Sequence, residues 1–282
     1  VEVAAAGICA SDLHLVAAGP SPITLGHEFA GWAPDGTPVA VLPLVGCEAC
    51  EHCRSGHPQR CQHQVGVIGV TLDGGMAERV RAPASCLRPL PPRLRPADAC
   101  LAEPLAVALH GLHRSGVDAG QRVLVVGAGP IGLCAVAAAS ALGATVDVAE
   151  LSDDRRDRAV SLGAGRDLAD GYDVVVDAAG SAGALRLATR RCAPGGTVAL
   201  VATHWTPVEV GMDLQIREIS LVPAYLYGHH RGRLEFDQAI DLLADTELAD
   251  VAISHRLPLD RAAAGFELAG AGDEVAKVVL AP

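Results

Sequence analysis

Apolar and polar positions follow two different rhythms along this chain. In the first part the apolar runs are short and broken. VEV opens like a strand already under way, and VGVIGV, MAERVRA and CLRPL alternate between Gly and Pro breaks. That rhythm predicts a small β-rich domain. Residues 30–46 are rich in Gly and Pro and predict turns between short strands. Gly74-Gly75 marks another turn, and Pro91-Pro92 with Pro96 marks a linker into helical sequence. Asp98 is the expected N-cap there. Pro104 restricts Glu103 to an extended conformation, so Glu103 is expected at a break between helices, with helix resuming over 105–112.

From Arg122 the rhythm changes to buried strand, then helix, repeated. A continuous apolar run over 123–126 suits a strand buried on both faces of a parallel sheet. An Ala-rich helix is expected over 131–142, stopped by Gly143, and a strand over 145–149. A charged helix ends at Gly163, a strand covers 172–177, and a helix covers 184–191. Pro194-Gly195-Gly196 turns into the strand TVALVA. A further strand over 219–226 belongs at a sheet edge, because Pro223 interrupts it. A helix over 234–243 follows. The tail carries one more helix and a last strand over 277–280, expected to return to the first domain. Strands and helices in this alternation predict a doubly wound parallel α/β sheet.

Candidate chemistry sits at the head of that second rhythm. Gly127, Gly129 and Gly132 form G-x-G-x-x-G between the first strand and the first helix. The first permits a tight turn, the second lets backbone approach a pyrophosphate, and the third lets helix pack close to strand. The second strand ends on Glu150, placed to accept hydrogen bonds from a ribose diol. Together these predict dinucleotide binding.

Composition narrows the picture. The 282 residues allow two domains of ordinary size. Half the chain is hydrophobic but only 3% is aromatic, so the core must rest on Ala, Val and Leu. A formal charge of −11 argues against a nucleic-acid or anionic-membrane surface. No apolar run reaches the ~20 residues a membrane helix needs, and the first residues do not read as a secretory signal. Nine cysteines, four of them tightly clustered, suggest metal binding in a reducing, cytoplasmic setting rather than a disulfide framework.

Cys47, Cys50, Cys53 and Cys61 are spaced C-x2-C-x2-C-x7-C. Four thiolates on one short lobe make a closed tetrahedral zinc site, which is structural. His52, His57 and His63 lie in the lobe but outside the filled shell. Near the start, GICASDLH gathers Cys9, Ser11, Asp12 and His14 in one turn. Taken alone this also reads as a loop with a buried thiol and an N-cap Ser or Asp. His27 and Glu28 of GHEF add an imidazole and a carboxylate. Cys9, His27 and an acid would supply three zinc ligands and leave a position open for substrate. Hence Cys9, His27 and at least one of Glu28 and Glu103 are expected to converge.

GICASDLH, GHEFAG, the four-cysteine lobe, AEPLAVALHG, VLVVGAGPIGL, VVVDAAGS and APGGTVALV occur in the order of the zinc-dependent medium-chain alcohol and polyol dehydrogenases. The chain resembles that family along nearly its whole length. Glu103-Pro104 and PVEVGMDLQIREISLVPAYLYG make it similar to the sorbitol, threonine and butanediol dehydrogenase branch. The resemblance implies a GroES-like catalytic domain over 1–113 plus 251–282, with a zinc lobe at 47–61, and a Rossmann domain over 114–250. It implies two zinc ions, one catalytic and one structural, and NAD ahead of NADP. Cys9, His27, Glu28 and Glu103 would serve the catalytic zinc. Asp12 would orient His27, and Ser11 and His14 would relay the alcohol proton. Gly127, Gly129, Pro130, Ile131, Gly132, Glu150, Arg155 and Val201 would bind the cofactor. A homodimer or homotetramer is implied, with hydride moving between a secondary alcohol, vicinal diol or polyol and NAD.

Two departures keep alternatives open. The strand pair that the family carries ahead of the segment matching Val1 is not in this sequence, and the hairpin after GHEFAG is shortened to WAPDGTPVAV. The alternatives are a truncated, catalytically impaired NAD-binding homologue and an NADP-dependent carbonyl reductase. Against the second, Glu150 repels a 2′-phosphate, which Arg155 or Arg156 could offset only in part.

Overall fold

The computed structural model describes residues 1–63, 66–272 and 275–282. Val65, which begins the expected VGVIGV run, lies outside the described residues. The chain divides into two compact units, Val1–Ala106 with Tyr227–Pro282, and Val107–Leu226. No helix among the described residues is long and apolar enough to cross a membrane.

In chain order the main elements are β1 (Glu2–Gly7), α1 (Ala10–Ala17), β2 (Glu28–Trp32), β3 (Pro38–Val41) and β4 (Leu87–Pro89). Then come α2 (Ala102–Arg114), β5 (Arg122–Val126), α3 (Pro130–Ala141), β6 (Thr145–Ala149) and α4 (Asp153–Ser161). They are followed by β7 (Tyr172–Asp177), α5 (Ala182–Arg191), β8 (Cys192–Leu200) and β9 (Ser220–Pro223). The chain closes with α6 (Glu235–Ala244), β10 (Ile253–Pro258), α7 (Ala262–Gly270) and β11 (Lys277–Ala281).

The first unit is built on a mixed sheet in the order β10-β11-β1-β2-β3-β4. The last strand therefore does return to the first sheet. It pairs antiparallel with β1, Ala6 opposite Leu280, and parallel with β10. Val3, Ala6, Phe29, Val41 and Ile68 bury one core. Ile8, Val278 and Leu280 bury a second under α7. This arrangement brings the residues before α1, the start of β2 and the start of β11 side by side.

The second unit is a parallel five-stranded sheet in the order β9-β8-β7-β5-β6. Val123, Leu124, Val125 and Val126 are all buried, as a strand covered on both faces must be. β9 lies at the edge, where Pro223 costs no ladder bond. α3 is buried almost all round, and its Ala-rich surface lets it sit close to the sheet. The sole aromatic of β7, Tyr172, is fully buried and donates its hydroxyl to Asp147 at 2.8 Å. The chain steps from β5 to β6 on one side, then crosses back past β5 to β7, β8 and β9. The strand order thus reverses between β5 and β7.

Three expectations need correction. The unit boundary falls within α2 rather than after it, and residues 227–250 pack with the first unit rather than the second. Tyr227 stacks on Phe236 at 5.5 Å between ring centres, and Arg88 donates from Nε to Asp237 at 2.6 Å, holding α6 against β4. Glu103 is not at a break: the 3₁₀ turn Ala99–Leu101 runs directly into α2, with Glu103 in its first turn. Pro104 is tolerated there because first-turn N–H groups need no intrahelical partner. Asp98 makes no capping bond; its carboxylate is drawn to Arg95 and Arg256 instead.

The cysteine lobe hangs from the first unit. The sulfurs of Cys47, Cys50, Cys53 and Cys61 all lie within 4.8 Å of one another, and among the described residues no histidine joins them. Cys50 N–H points at Cys47 Sγ at 3.3 Å. Backbone N–H groups of Cys53 and then Gln62 pull the Cys50 thiol down to about 6, while burial and the neighbouring cysteines push Cys53 up to about 12. Four thiols so close cannot all ionise unaided; a divalent cation resolves that conflict, and a tetrahedral sulfur set suits zinc. Cys50→Ser should therefore reduce bound zinc from two ions to one per chain by mass spectrometry. It should also lower the melting temperature by more than about 5 °C.

Candidate metal centre and dinucleotide crevice

Within the first unit, β1 runs into Cys9, which caps the N-terminus of α1. Sequence reasoning offered Ser11 or Asp12 as the cap. Instead Asp12, at the third helical position, reaches back to accept from Cys9 N–H at 2.9 Å. That bond fixes the Cys9 backbone and turns Asp12 inward, where it is fully buried. Its other oxygen, Oδ1, sits 3.5 Å from His27 Nδ1. His27 Nε2 is 3.5 Å from Ser11 Oγ. His14 lies one turn further along α1 on its exposed side.

The ligand atoms of Cys9, His27 and Glu28 lie within 4.8 Å of one another. Glu103 is not part of that tight group, but it is buried and close enough for its charge to act on His27. Burial opposes a charged His27; Asp12 and Cys9, with Glu103 behind them, outweigh it and hold the imidazole well above its usual range. Burial pushes Glu103 up to about 7, against the pull of His27 and with a further push from Glu28. Beside it the Tyr227 phenol is raised well above its usual range, by burial first and Glu103 second.

Lys277 is the residue sequence reasoning missed. Its ammonium is 2.5 Å from Glu28 Oε2 and donates to Ile8 O at 3.0 Å, and both ionic side chains are buried. A lone lysine at the head of the otherwise apolar run VVLA was its signal. Among the described residues, Lys277 is the buried permanent cation here, set against Asp12, Glu28, Glu103 and the Cys9 thiol. So much acidic chemistry in a low-dielectric interior is under-compensated. Thiol, imidazole and carboxylate within reach of one point suit a zinc ion, and the residues fit one.

In the second unit the glycine fingerprint forms the tight turn between β5 and α3 that its spacing predicts. Gly127 has φ +95° and leads the turn after β5. A Cβ on Gly132 would lie 1.9 Å from Gly127 O, so only glycine lets α3 come this close. A Cβ on Gly129, the cap of α3, would meet nothing within 4 Å, which leaves open space at the helix N-terminus. Pro130 and Ile131 begin α3 there, the arrangement that receives a pyrophosphate. Glu150, just past β6, accepts from Ala128 N–H at 2.7 Å, Leu151 N–H at 2.6 Å and Ser152 N–H at 3.1 Å. Its carboxylate is thereby locked beside the turn. Arg156 is committed to Glu150 O at 2.6 Å and Asp153 Oδ1 at 2.6 Å. Arg155 N–H meets the capping Ser152 hydroxyl at 3.4 Å. Val201, just past β8, is buried and donates to Asp177 O at 3.2 Å.

Comparison with known proteins identifies the family. The family description "Alcohol dehydrogenase GroES-like domain" matches residues 1–92, and "Zinc-binding dehydrogenase" matches residues 130–245. L-galactonate-5-dehydrogenase of Escherichia coli K12 is 30% identical, over 95% of this chain and 86% of that protein. A zinc-binding dehydrogenase of Sinorhizobium meliloti 1021, solved bound to NADP, is 31% identical with a TM-score of 0.88, covering 100% of this chain and 91% of its own. Galactitol-1-phosphate dehydrogenase of Escherichia coli is 28% identical with a TM-score of 0.89, covering 100% and 92%. On the sequence match, the parallel sheet and its GroES-like companion, this chain belongs to the zinc-dependent medium-chain alcohol and polyol dehydrogenases, oxidoreductases that move a hydride between an alcohol carbon and a nicotinamide cofactor.

Proposed function

We propose that this chain interconverts a secondary alcohol, vicinal diol or polyol with its carbonyl, using NAD in preference to NADP, at a zinc ion held by Cys9, His27 and Glu28. Val1–Ala106 with Tyr227–Pro282 is then the catalytic domain, and Val107–Leu226 the dinucleotide domain. The observation that carries the reading is the convergence of three unlike ligand atoms within 4.8 Å, from a helix cap and the start of a strand. A structural site would be closed by four protein ligands; three leave a place for substrate.

When bound, zinc supplies Lewis acidity, which lets a coordinated alcohol lose its proton near neutral pH. The chain's own residues do the rest. Asp12 Oδ1 stands 3.5 Å from His27 Nδ1, so Nε2 is the nitrogen offered to the ion. Lys277 holds Glu28 and offsets part of its charge. Ser11 Oγ, 3.5 Å from His27 Nε2, accepts the substrate hydroxyl proton as it hands its own outward, and His14 on the exposed side of α1 is the end of that relay that takes it. Glu103, held near neutrality by burial, is a second carboxylate that answers changes of charge at the site. The cofactor lies along the carboxyl ends of the parallel strands, its pyrophosphate at the Gly129 N-terminus of α3.

The preference for NAD follows from Glu150 and Arg156. A carboxylate at the end of β6 attracts a ribose diol and repels a 2′-phosphate. Arg156, the cation that could reverse this, already serves Glu150 O and Asp153.

Three outcomes test the reading. Secondary alcohols, vicinal diols and polyols offered with NAD should produce NADH absorbance with at least one class, and no turnover across the whole panel would refute it. Cys9→Ala should cut turnover by at least about a thousandfold and lose one of two zinc ions, yet leave NADH affinity within about twofold. Retention of both zinc and rate would exclude Cys9 as a ligand. Glu150→Gln, which removes the charge and keeps one carbonyl oxygen for the Leu151 and Ser152 N–H groups on Oε1 while giving up the acceptor for Ala128 N–H on Oε2, should narrow the NAD-over-NADP affinity ratio by about tenfold. Wild-type protein that binds NADP more tightly would overturn the role of Glu150.

A further inference from the structure

We propose that His204, steered by the buried carboxylate of Asp177, is a cofactor-binding residue for the nicotinamide half of the dinucleotide. The inference rests on the dinucleotide reading above and adds a residue on the far side of the crevice from Glu150.

Asp177 ends β7, next to the point where the strand order reverses. Its side chain is fully buried. Oδ1 accepts from Ala179 N–H at 3.1 Å and Gly180 N–H at 2.9 Å, which folds the chain after β7 into a tight turn. Its backbone carbonyl accepts from Val201 N–H at 3.2 Å and Ala202 N–H at 3.0 Å, which ties the loop after β8 to the same spot. A Cβ on Gly180 would lie 2.7 Å from Thr203 O, so the two loops are pressed together. A Cβ on Gly127 would lie 3.0 Å from the Ala179 Cβ, so the phosphate-binding turn abuts the Asp177 turn directly. Asp177 therefore organises three carboxyl-end loops at the place where open α/β sheets receive ligands.

One part of this arrangement has no purpose within the unit. Asp177 Oδ2 is 3.1 Å from His204 Nε2, an ion-pair distance at a side chain only 14% exposed. Oδ2 and Nε2 face each other short of ideal hydrogen-bond alignment, and His204 Nδ1 has no hydrogen-bond partner among the described residues. Buried polar atoms in folded proteins are normally satisfied, so a buried Nδ1 without a partner points to a group supplied from outside. The carboxylate can only accept, so it draws the imidazole proton to Nε2 and leaves Nδ1 as an acceptor. An acceptor suits the carboxamide N–H or the ribose hydroxyls of a nicotinamide nucleoside.

The side of the crevice identifies the half of the ligand. Glu150 stands at the end of β6, on one side of the reversal, and takes the adenosine ribose. The ends of β7 and β8 stand on the other side, across the pyrophosphate turn. A dinucleotide laid over the turn must place its second nucleoside there. Asp177 touches no ligand in this scheme; it is the positioning residue that orients His204.

The test compares NADH with ADP, which shares the adenosine and pyrophosphate but lacks the nicotinamide nucleoside. By calorimetry, wild-type protein should bind both. His204→Ala should weaken NADH about tenfold, the loss of one good hydrogen bond, and leave ADP within about twofold. His204→Asn, whose amide stands near the Nδ1 position, should recover part of the NADH loss. Asp177→Asn should also weaken NADH selectively, and should add nothing in the His204→Ala background, because it acts through the same ring. Equal weakening of NADH and ADP, or no weakening of NADH, overturns the proposal while leaving the dinucleotide reading intact. Wild-type protein that binds neither probe overturns both. If His204→Ala fails to fold by circular dichroism, the NADH-to-ADP affinity ratio of His204→Asn and Asp177→Asn decides: a fall supports the proposal and an unchanged ratio overturns it.

Discussion

The candidate metal centre depends on one buried ion pair, Lys277 with Glu28. Two charges in an apolar interior are tolerated only when paired and hydrogen-bonded, and removal of one partner from such a pair typically costs about 3–5 kcal/mol. Here the pair does more than satisfy itself. Lys277 begins the last strand, Glu28 begins β2, and the same ammonium binds the carbonyl of Ile8, one residue before Cys9. Three segments distant in sequence are thus pinned at one point. Because β1 lies between β2 and β11 in the sheet, the ladder and the ion pair enforce the same register.

Charge explains the rest of the centre. Asp12, Glu28 and Glu103 are buried together with a thiol, and one lysine does not balance them. Glu103 is raised to about 7, and the His27 imidazole is held well above its usual range. Burial is the first cause at Glu103, and Asp12 and Cys9 outweigh burial at His27. A divalent cation would offset the buried acid groups, and thiol, imidazole and carboxylate together suit one. In the cysteine lobe the same logic appears in sulfur, with Cys50 drawn down and Cys53 pushed up.

The turn of the dinucleotide unit is built by shape. Its binding turn exists because Gly132 lets α3 approach Gly127 O and because Gly127 adopts a left-handed conformation. Glu150 and Asp177 then brace that turn from opposite sides, the first through Ala128 N–H and the second through the Ala179 turn packed on Gly127. Both carboxylates spend hydrogen bonds on backbone, which makes the crevice rigid before any ligand arrives. Rigid, pre-aimed polar groups bind with less loss of conformational freedom.

Much of this was legible in the chain. The apolar run before GAGPIG, the edge position marked by Pro223 and the four-cysteine spacing each reflect local physics: periodicity, a missing N–H, and the reach of four thiolates on one short lobe. Local physics also located Glu150, because the end of a second strand lies at a set distance from the turn. Other features depend on contacts between distant segments, which no local pattern encodes. The partner of Glu28 is a lysine 249 residues away. The placement of α6 with the first unit turns on Arg88 meeting Asp237, and Asp98 abandons its cap for Arg256. Glu103 reads as a break residue beside Pro104, yet continuous packing from the 3₁₀ turn into α2 carries it into a helix. Sequence by itself determined the kind of elements, the fingerprint turn and the ligand types. Which carboxylate stands with Cys9 and His27, and which cation steadies it, only the tertiary structure decided, because burial and long-range pairing set the energy of a charge and neither is a property of neighbouring residues.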